Sequence, residues 1–256
     1  VKISYSIVTY NNEKIIADTV KSLSDTVPAG YDYTLYIIDN NSTDDTVSIV
    51  KEIGDENVIV IELTDNKGFG HGHNAVLPVL TSDYHFVVNP DITVESEGEI
   101  FKMIDYLEHH KEVGMIVPLI TNKDGSIQHL NKKHPTVLDM FIRRISPNLF
   151  KSRQDRYVCM EKGYDTVYRV DYASGCFMVF RTSLFKQLNG FDEQFFMYLE
   201  DADITRRVNQ ISVANFFPDA KIIHEWERAG HKRIKYAWIT VKSMRVYFKK
   251  WGWKIL

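Results

Sequence analysis

The chain has 256 residues, 44% of them hydrophobic and 25% charged, with a net charge of −3. This is enough apolar material for one large domain with a sizeable core, and it excludes a disordered chain. No run of 18 apolar residues occurs, so no spanning helix is expected, and the two cysteines, Cys159 and Cys176, suit a reducing cytoplasm better than a disulfide framework.

The opening VKISYSIVTYNN lacks a charged leader, an apolar stretch and a cleavage site, so no secretory signal is expected. KISYSIVT (2–9) predicts a strand, and Asn11 or Asn12 can cap a helix running to about Ser24. YTLYIID (33–39) predicts a second strand, and NNSTDDTVSIVKEI supplies caps and then a helix. NVIVIEL (57–63) is a third strand, FGHGHNAVLPVL (69–80) a short helix opened by glycines, and YHFVVN (84–89) a fourth strand. Strands alternating with helices predict an α/β fold: a mainly parallel central sheet flanked by helices, with right-handed crossovers.

SEGEIFKMIDYLEHH (96–110) predicts a helix, GMIVPLI (114–120) a strand and NKDGSI a turn at Asp124–Gly125. Residues 131–170 are basic and irregular, partly helical at TVLDMFIRRI. GCFMVFR (175–181) is a further strand, followed by FFMYLEDADITRR with its helix, a strand near VANFF, the stretch AKIIHEW, and a helical tail from about Ile234. There is no internal repeat or low-complexity segment.

Charge is unevenly spread. Residues 228–256 hold nine of the 31 Lys and Arg and none of the 34 Asp and Glu. Such a tail meets something anionic: a membrane surface, nucleic acid, or the acidic body itself. Ile234, Trp238, Val241, Met244, Phe248 and Trp251 form a helical stripe with Lys235, Lys242, Arg245, Lys249 and Lys250 around it. The stripe suits either an anionic membrane interface or docking onto the core. Lys132, Lys133, Arg143, Arg144, Lys151, Arg153 and Arg156 in the middle segment suit a solvated face, or an acceptor loop contacting phosphate. No nucleic-acid recognition motif is present, and nucleic acid is not expected as a partner.

Ligands of open α/β sheets bind outside the carboxyl ends of the strands. The segments found there are Thr9-Tyr10-Asn11-Asn12, Asp39-Asn40-Asn41-Ser42, Asp65-Asn66-Lys67-Gly68-Phe69-Gly70 and Asn89-Pro90-Asp91. Any one of them reads equally well as an ordinary polar turn. No G-x-G-x-x-G follows the first strand, which disfavours hydride transfer, and no phosphate-binding G-x-x-x-x-G-K-[ST] loop occurs. In FFMYLEDADITRR three acids directly follow an apolar run; carboxylates rarely sit so without a partner or a task. A helix start explains part of it, and Asp203 has the spacing of an intrahelical pair with Arg206 or Arg207.

The segments SIVTYNN, IIDNNSTDDT, NKGFGHGHN, VVNPDI, SGCFMVFR, GFDEQFFMYLEDADITRR and FPDAKIIHEW, in this order over about residues 2–250, resemble glycosyltransferase family 2, particularly its bacterial rhamnosyltransferase-like members. The resemblance implies a GT-A fold over 1–233, with a nucleotide-binding half of about 1–95 and an acceptor-binding half of about 96–233, then a basic amphipathic helix over 234–256. It implies that Thr9, Tyr10, Asn11, Asp39, Asn66, Gly68, Asn74, Asn89 and Asp91 bind the nucleotide-sugar, with Asp39 accepting from the ring N–H of the base. Asn89-Pro90-Asp91 stands where the family has Asp-x-Asp: Asp91 matches the metal-coordinating acid, whereas Asn89 carries no charge. His224 matches a histidine that completes a metal shell of Mg²⁺ or Mn²⁺. Asp201 matches the base that takes the acceptor's proton, and Glu200 would contact the acceptor or polarise Asp201.

The chemistry is consistent with those roles. A nucleotide-sugar loses a diphosphate, whose charge a hard divalent cation stabilises, and such a cation needs few protein ligands beside the phosphates. One carboxylate suffices for direct displacement with inversion, and no second nucleophile is evident. The expected enzyme is an inverting, metal-dependent hexosyltransferase. Its donor would be dTDP-L-rhamnose or another nucleotide-sugar such as a UDP-hexose, and its acceptor a saccharide or lipid-linked saccharide of bacterial cell-surface polysaccharide synthesis. It would act in the cytoplasm or on the inner face of the membrane. A nucleotide-sugar-binding subunit without transfer is the alternative that Asn89 favours.

Overall fold

The structure is a computed structural model that describes residues 1–145, 149–225 and 233–256, with the side chains of 144, 145 and 233–235 excepted. Trp226 of the AKIIHEW stretch and Arg228 lie outside the described residues, as do the side chains of Arg144, Ile234 and Lys235.

In chain order the elements are β1 (Lys2–Thr9), α1 (Ile16–Ser24), β2 (Asp32–Asp39), α2 (Thr46–Glu52), β3 (Val58–Glu62), α3 (Phe69–Asn74), β4 (Tyr84–Val88), β5 (Ile92–Thr93), α4 (Glu97–His109) and β6 (Val113–Thr121). After these come α5 (Val137–Ile145), α6 (Lys151–Tyr157), β7 (Tyr168–Arg169), β8 (Phe177–Arg181), α7 (Thr182–Gln187), α8 (Glu200–Ile211), β9 (Val213–His224) and α9 (Arg233–Trp251). The sheet runs β3-β2-β1-β4-β8-β6-β9-β5, with β7 on β9. β3, β2, β1 and β4 are parallel, as the alternation of strands and helices predicts. β8 runs antiparallel to both β4 and β6, while β9 is parallel to β6. The order reverses at β1 and β4, which opens a crevice at their carboxyl ends.

Both faces of the sheet are covered. Ile3, Tyr5 and Ile7 of β1 pack beneath Ile16, Val20 and Leu23 of α1 and Ile100, Met103, Ile104 and Leu107 of α4. The spacing of those helical residues by three and four places each set on one face. Ile38, Val87, Met115 and Phe180 point to the other face, against Phe185, Phe191, Ile204 and Val208. A fully buried aliphatic or aromatic side chain contributes roughly 1.5–3 kcal/mol. One polar seam crosses this interior: Ser6 bonds His73 Nδ1 at 2.7 Å and His85 Nε2 at 3.1 Å, and Ser4 bonds His85 Nδ1 at 2.8 Å. Burial pushes the His85 imidazole down to about 3, and burial, then the charge of His85, holds His73 well below the usual range.

Several boundaries differ from expectation. The VANFF strand and AKIIH form one strand, β9, because three residues bulge out between Phe217 and Lys221, opposite Pro118 and Leu119. The 69–80 helix stops at Asn74, and α1 begins at Ile16 because residues 10–15 are taken up by the polar turn after β1. β5, β7 and α7 are too short for periodicity to reveal.

The stripe on α9 divides. Phe248 is buried and Met244 and Trp251 partly so, against Phe195, Leu199 and Tyr172, while Trp238 is 66% and Val241 46% exposed. Trp251 Nε1 donates to Asp203 Oδ1 at 2.8 Å, and Lys250 Nζ lies 2.9 Å from the same oxygen and 2.7 Å from Asp192. Asp203 Oδ2 also accepts from Arg207 Nε at 2.7 Å. The structural role expected for Asp203 thus extends across helices. No helix among the described residues is long and apolar enough to cross a membrane.

Candidate active site

The strand ends gather along one rim. Thr9 is buried and its hydroxyl has no partner, while Tyr10 is 49% exposed beside it. Asn11 adopts a left-handed conformation (φ 59°), from which Oδ1 accepts from the Thr43 N–H at 2.8 Å. The Asp39 carboxylate accepts from the Ser42 N–H at 2.9 Å and from the Ser42 hydroxyl. Each carboxylate oxygen has a second lone pair, so these bonds orient Asp39 without using up its capacity.

The glycine loop joins the rim to the second half of the chain. Asn66 Oδ1 accepts from Gly68 N–H at 3.0 Å. Gly68 has φ 102°, and a Cβ there would lie 2.0 Å from the Phe196 carbonyl oxygen; only glycine fits. Phe69 N–H donates to that same carbonyl at 2.9 Å. Asn74 is used differently from the other loop residues. Its Nδ2 donates to Phe191 O and Glu193 Oε1, both at 2.9 Å, and its Oδ1 accepts from Phe191 N–H at 2.8 Å. These bonds brace the 190–193 turn with the whole amide.

Asp91 and His224 meet across the β5–β9 pair, where Ile92 faces His224 and Glu225 N–H donates to Asp91 O at 2.9 Å. Gln128 clamps the histidine. Its Nε2 donates to His224 O at 2.8 Å and to Asn122 Oδ1 at 2.7 Å, leaving Oε1 to accept from His224 Nδ1 at 3.0 Å. That arrangement puts the imidazole proton on Nδ1 and leaves a lone pair on Nε2. Nε2 stands 3.2 Å from Asp91 Oδ1, yet neither atom makes a hydrogen bond. Two facing lone-pair atoms repel unless a cation lies between or beside them, so the donor set fits a divalent metal. Among the described residues no group of three or more His, Cys, Asp or Glu comes together, so such a metal would complete its shell from the substrate or solvent.

Glu200 and Asp201 open α8. They are delivered by Tyr198 and Leu199, two consecutive left-handed residues (φ 72° and 68°). Such non-glycine positions cost roughly 1–3 kcal/mol each and persist only where packing over-determines them, here by burial of Leu199. Asp201 Oδ2 accepts from Gly175 N–H at 3.2 Å and Oδ1 from Ala202 N–H at 2.9 Å. Gly175 is squeezed between Phe69 and Asp201, with a Cβ there 3.3 Å from one ring carbon and 3.4 Å from Asp201 Cβ. The next residue, Cys176, accepts from Asn89 N–H at 2.9 Å. Asp201 and the Asn89-Pro90-Asp91 turn are therefore tied to adjacent residues at the start of β8. Glu200 is 6% exposed and its Oε2 is unpartnered. Burial, then the charge of Asp201, pushes Glu200 up to about 8, which favours its protonated form. Burial also raises Asp201, while Lys132 and the N–H groups of Ala202 and Gly175 pull it back.

Three partners escape sequence reading: Gln128, Tyr172 and Lys132. Nothing in local sequence distinguishes the half-buried Lys132 from the exposed Lys151 nearby. Only the turn at Asp124–Gly125 hints that Gln128 folds back onto β6, where its N–H meets Ile120 O at 2.9 Å.

Comparison with known proteins bears on this arrangement. The family model for glycosyl transferase family 2 matches residues 4–188, and that for the N-terminal domain of galactosyltransferase matches residues 155–232. The N-acetylglucosaminyl-diphospho-decaprenol L-rhamnosyltransferase of Mycobacterium tuberculosis is 28% identical over 211 residues, covering 75% of this chain and 66% of that protein. Rhamnosyltransferase WbbL of Escherichia coli is 30% identical over 166 residues, covering 61% of this chain and 60% of that protein. The match spans under two thirds of either relative's length. Mannosyltransferase PcManGT from Pyrobaculum calidifontis, solved with GDP-Man and Mn²⁺, superposes with a TM-score of 0.66 at 17% identity, over 96% of this chain and 64% of that one. The likeness shows a GT-A fold.

Proposed function

The chain belongs to glycosyl transferase family 2, and from that premise we propose that it transfers a hexose, L-rhamnose from dTDP-L-rhamnose, to a saccharide or lipid-linked saccharide of bacterial cell-surface polysaccharide. The sugar is taken from the rhamnosyl transfer for which the two relatives are named, and the dTDP carrier from the family resemblance of the sequence. The observation that carries the reading is the shared anchor at β8: Asp201 on Gly175 and the Asn89 turn on Cys176. It supports reading Asp201 as a proton acceptor near the residues expected at the donor diphosphate.

In this reading Thr9, Tyr10 and Asn11 border the base, Asp39 accepts from its ring N–H, and Asn66 and Gly68 line the nucleoside. Asn89 bonds a ribose hydroxyl. Asp91 Oδ1 and His224 Nε2 would hold Mg²⁺ or Mn²⁺, which when bound stabilises the charge developing on the leaving diphosphate. Asp201 takes the proton of the acceptor hydroxyl. That oxygen forms the new bond to the anomeric carbon as the bond to the diphosphate breaks on the opposite face, with inversion. Glu200, held protonated, donates rather than accepts and so bonds the acceptor without competing for its proton. The aromatic run Phe195 and Phe196 excludes water from one side.

The exposed Trp238 and Val241, with Lys242 and Arg245, form the surface proposed to touch anionic lipid at the inner face of the membrane. Flotation with anionic liposomes at low salt tests it, and absence of binding dismisses it. For the reaction itself, the protein is incubated with a panel of nucleotide-sugars, a divalent cation and prenyl-diphosphate-linked N-acetylglucosamine, and nucleoside diphosphate release is followed. Release with dTDP-L-rhamnose is expected. Release with another donor alone refutes the sugar, and donor-induced thermal stabilisation without release from any refutes transfer.

A further inference from the structure

The segment that leads into Glu200 is held from two sides. Its consecutive carbonyls meet different parts of the molecule: Phe196 O accepts from Phe69 N–H of α3 at 2.9 Å, and Met197 O accepts from the Ser243 hydroxyl of α9 at 2.7 Å. A helical serine or threonine can bond the carbonyl four residues back, and Thr240 does so, to Tyr236 O at 2.8 Å. Ser243, 2% exposed, bonds outward to the neighbouring segment instead. Tyr247 and Phe248, one turn further along α9, share a buried cluster with Leu199 and Ala202, the residues on either side of the Glu200–Asp201 pair. Beyond them Trp251 Nε1 and Lys250 Nζ reach Asp203 Oδ1, and the Arg206 guanidinium lies 4.3 Å above the centroid of the Trp251 ring. Residues 197, 199, 202 and 203 are therefore bonded to α9 or buried in one cluster with it, and 200 and 201 lie between them.

We propose that α9 is a positioning element of the transfer site, with Ser243 as its positioning residue: by binding Met197 O it fixes the left-handed Tyr198–Leu199 turn and so the aim of the Asp201 carboxylate. The proposal rests on the reading of Asp201 as the base. Two consecutive non-glycine residues in the left-handed region are strained, and such a turn persists only where its surroundings over-determine it. The Phe196 carbonyl fixes the entry to the turn from the side of the glycine loop. Asp203 fixes the exit, its N–H donating to Leu199 O at 2.9 Å and its carboxylate accepting from Arg207 and Trp251. Between the two, the Met197 carbonyl is held by Ser243. Relaxing the turn would shift the first turn of α8, and with it the carboxylate that accepts from Gly175 N–H and Ala202 N–H.

The test pairs amide hydrogen exchange with kinetics for Ser243→Ala in the full chain. Loss of the hydroxyl should speed exchange at residues 197–203 about fivefold, the equivalent of one net hydrogen bond, while α4 keeps the parent rates. The kcat should fall about tenfold, short of the hundredfold that a 1 Å misplacement can cost, with the donor KM unchanged. In the Asp201→Asn background the same substitution should change turnover by less than about twofold, because a residue that acts through Asp201 has nothing left to position. Equal losses in both backgrounds, unmoved exchange, or parent kcat with a lowered melting temperature each overturns the proposal. If Ser243→Ala does not fold, Trp251→Phe, which removes the indole N–H and keeps a ring for Arg206, repeats the comparison. Retained turnover in Asp201→Asn sinks the assignment of the base and the positioning role with it. An Asp201→Asn variant slowed about a hundredfold beside parent kcat in Ser243→Ala sinks the role of Ser243 alone.

Discussion

The rim formed by β1, β2 and the glycine loop differs in kind from the site under α8. On the rim, polar groups are tied down by near neighbours: Asp39 by Ser42, Asn66 by Gly68, Asn11 by Thr43 across the adjacent loop. The exceptions are Thr9 Oγ1, Asn40 Oδ1 and Asp91 Oδ1, buried acceptors without partners. Under α8 Glu200 Oε2 has no partner, and Asp201 is reached by Gly175 from 26 positions upstream. Satisfied polar groups hold a shape at small cost, whereas desolvated charges gain altered proton affinity at the expense of stability. On the proposed roles, shape for a ligand and reactivity toward it are thus built in separate places.

Four measurements break or sharpen that contrast. Asp201→Asn removes the proposed base while keeping volume, and turnover should fall at least about a hundredfold with donor binding nearly intact by calorimetry. A near-normal rate would mean that the desolvated region is structural after all. Asp91→Ala should raise the Mn²⁺ or Mg²⁺ concentration needed for half-activity by about 10–100-fold; an unchanged titration would place the metal elsewhere. Glu200→Gln should change turnover at pH 7 by no more than a few fold, since a group pushed up to about 8 is already neutral and an amide mimics it. A hundredfold loss would make Glu200 the ionised member of the pair.

The smallest effect is on stability against pH. Glu200 is raised from 4.5 to about 8, so the folded state keeps a proton that the unfolded chain has released. Its contribution is full below pH 4.5 and is lost as pH rises through about 8. His85, depressed from 6.5 to about 3, acts in reverse: its contribution is full above pH 6.5 and is lost as pH falls through about 3, and His73 adds in the same direction. Melting temperature should therefore decline from pH 6.5 toward 8, and Glu200→Gln should flatten that decline while leaving the acid side unaltered.

Much of the rim was legible because its physics is local. Alternating strands and helices end in Asp39, Asn66 and Asn89, and each does sit at a strand end on the reversal side of the sheet. The apolar periodicity of α4 was equally plain. What was not legible is long-range. The basic segment 131–156 looked uniform, yet Lys132 lies over the Tyr172 ring, Arg153 bonds the buried Asp139 at 2.6 Å, and Lys151 stays exposed. Asn74 has the same polar character as Asn66 but faces the 190–193 turn, an outcome decided by a contact 117 positions away. The α9 stripe gave no hint that Asp203 would claim Trp251 and Lys250 and leave Trp238 outside.

The seat of Gly68 on the Phe196 carbonyl limits how this protein can be re-engineered. A segment 65–70 transplanted from another transferase would bring its own curvature against a backbone oxygen that leaves no room for a methyl group. Because residues 191–199 lead straight into Glu200, any accommodation there would tilt α8. On the proposed roles of the glycine loop and Asp201, donor preference and hydroxyl activation are geared together, and altering the first calls for exchanging both stretches as a matched set.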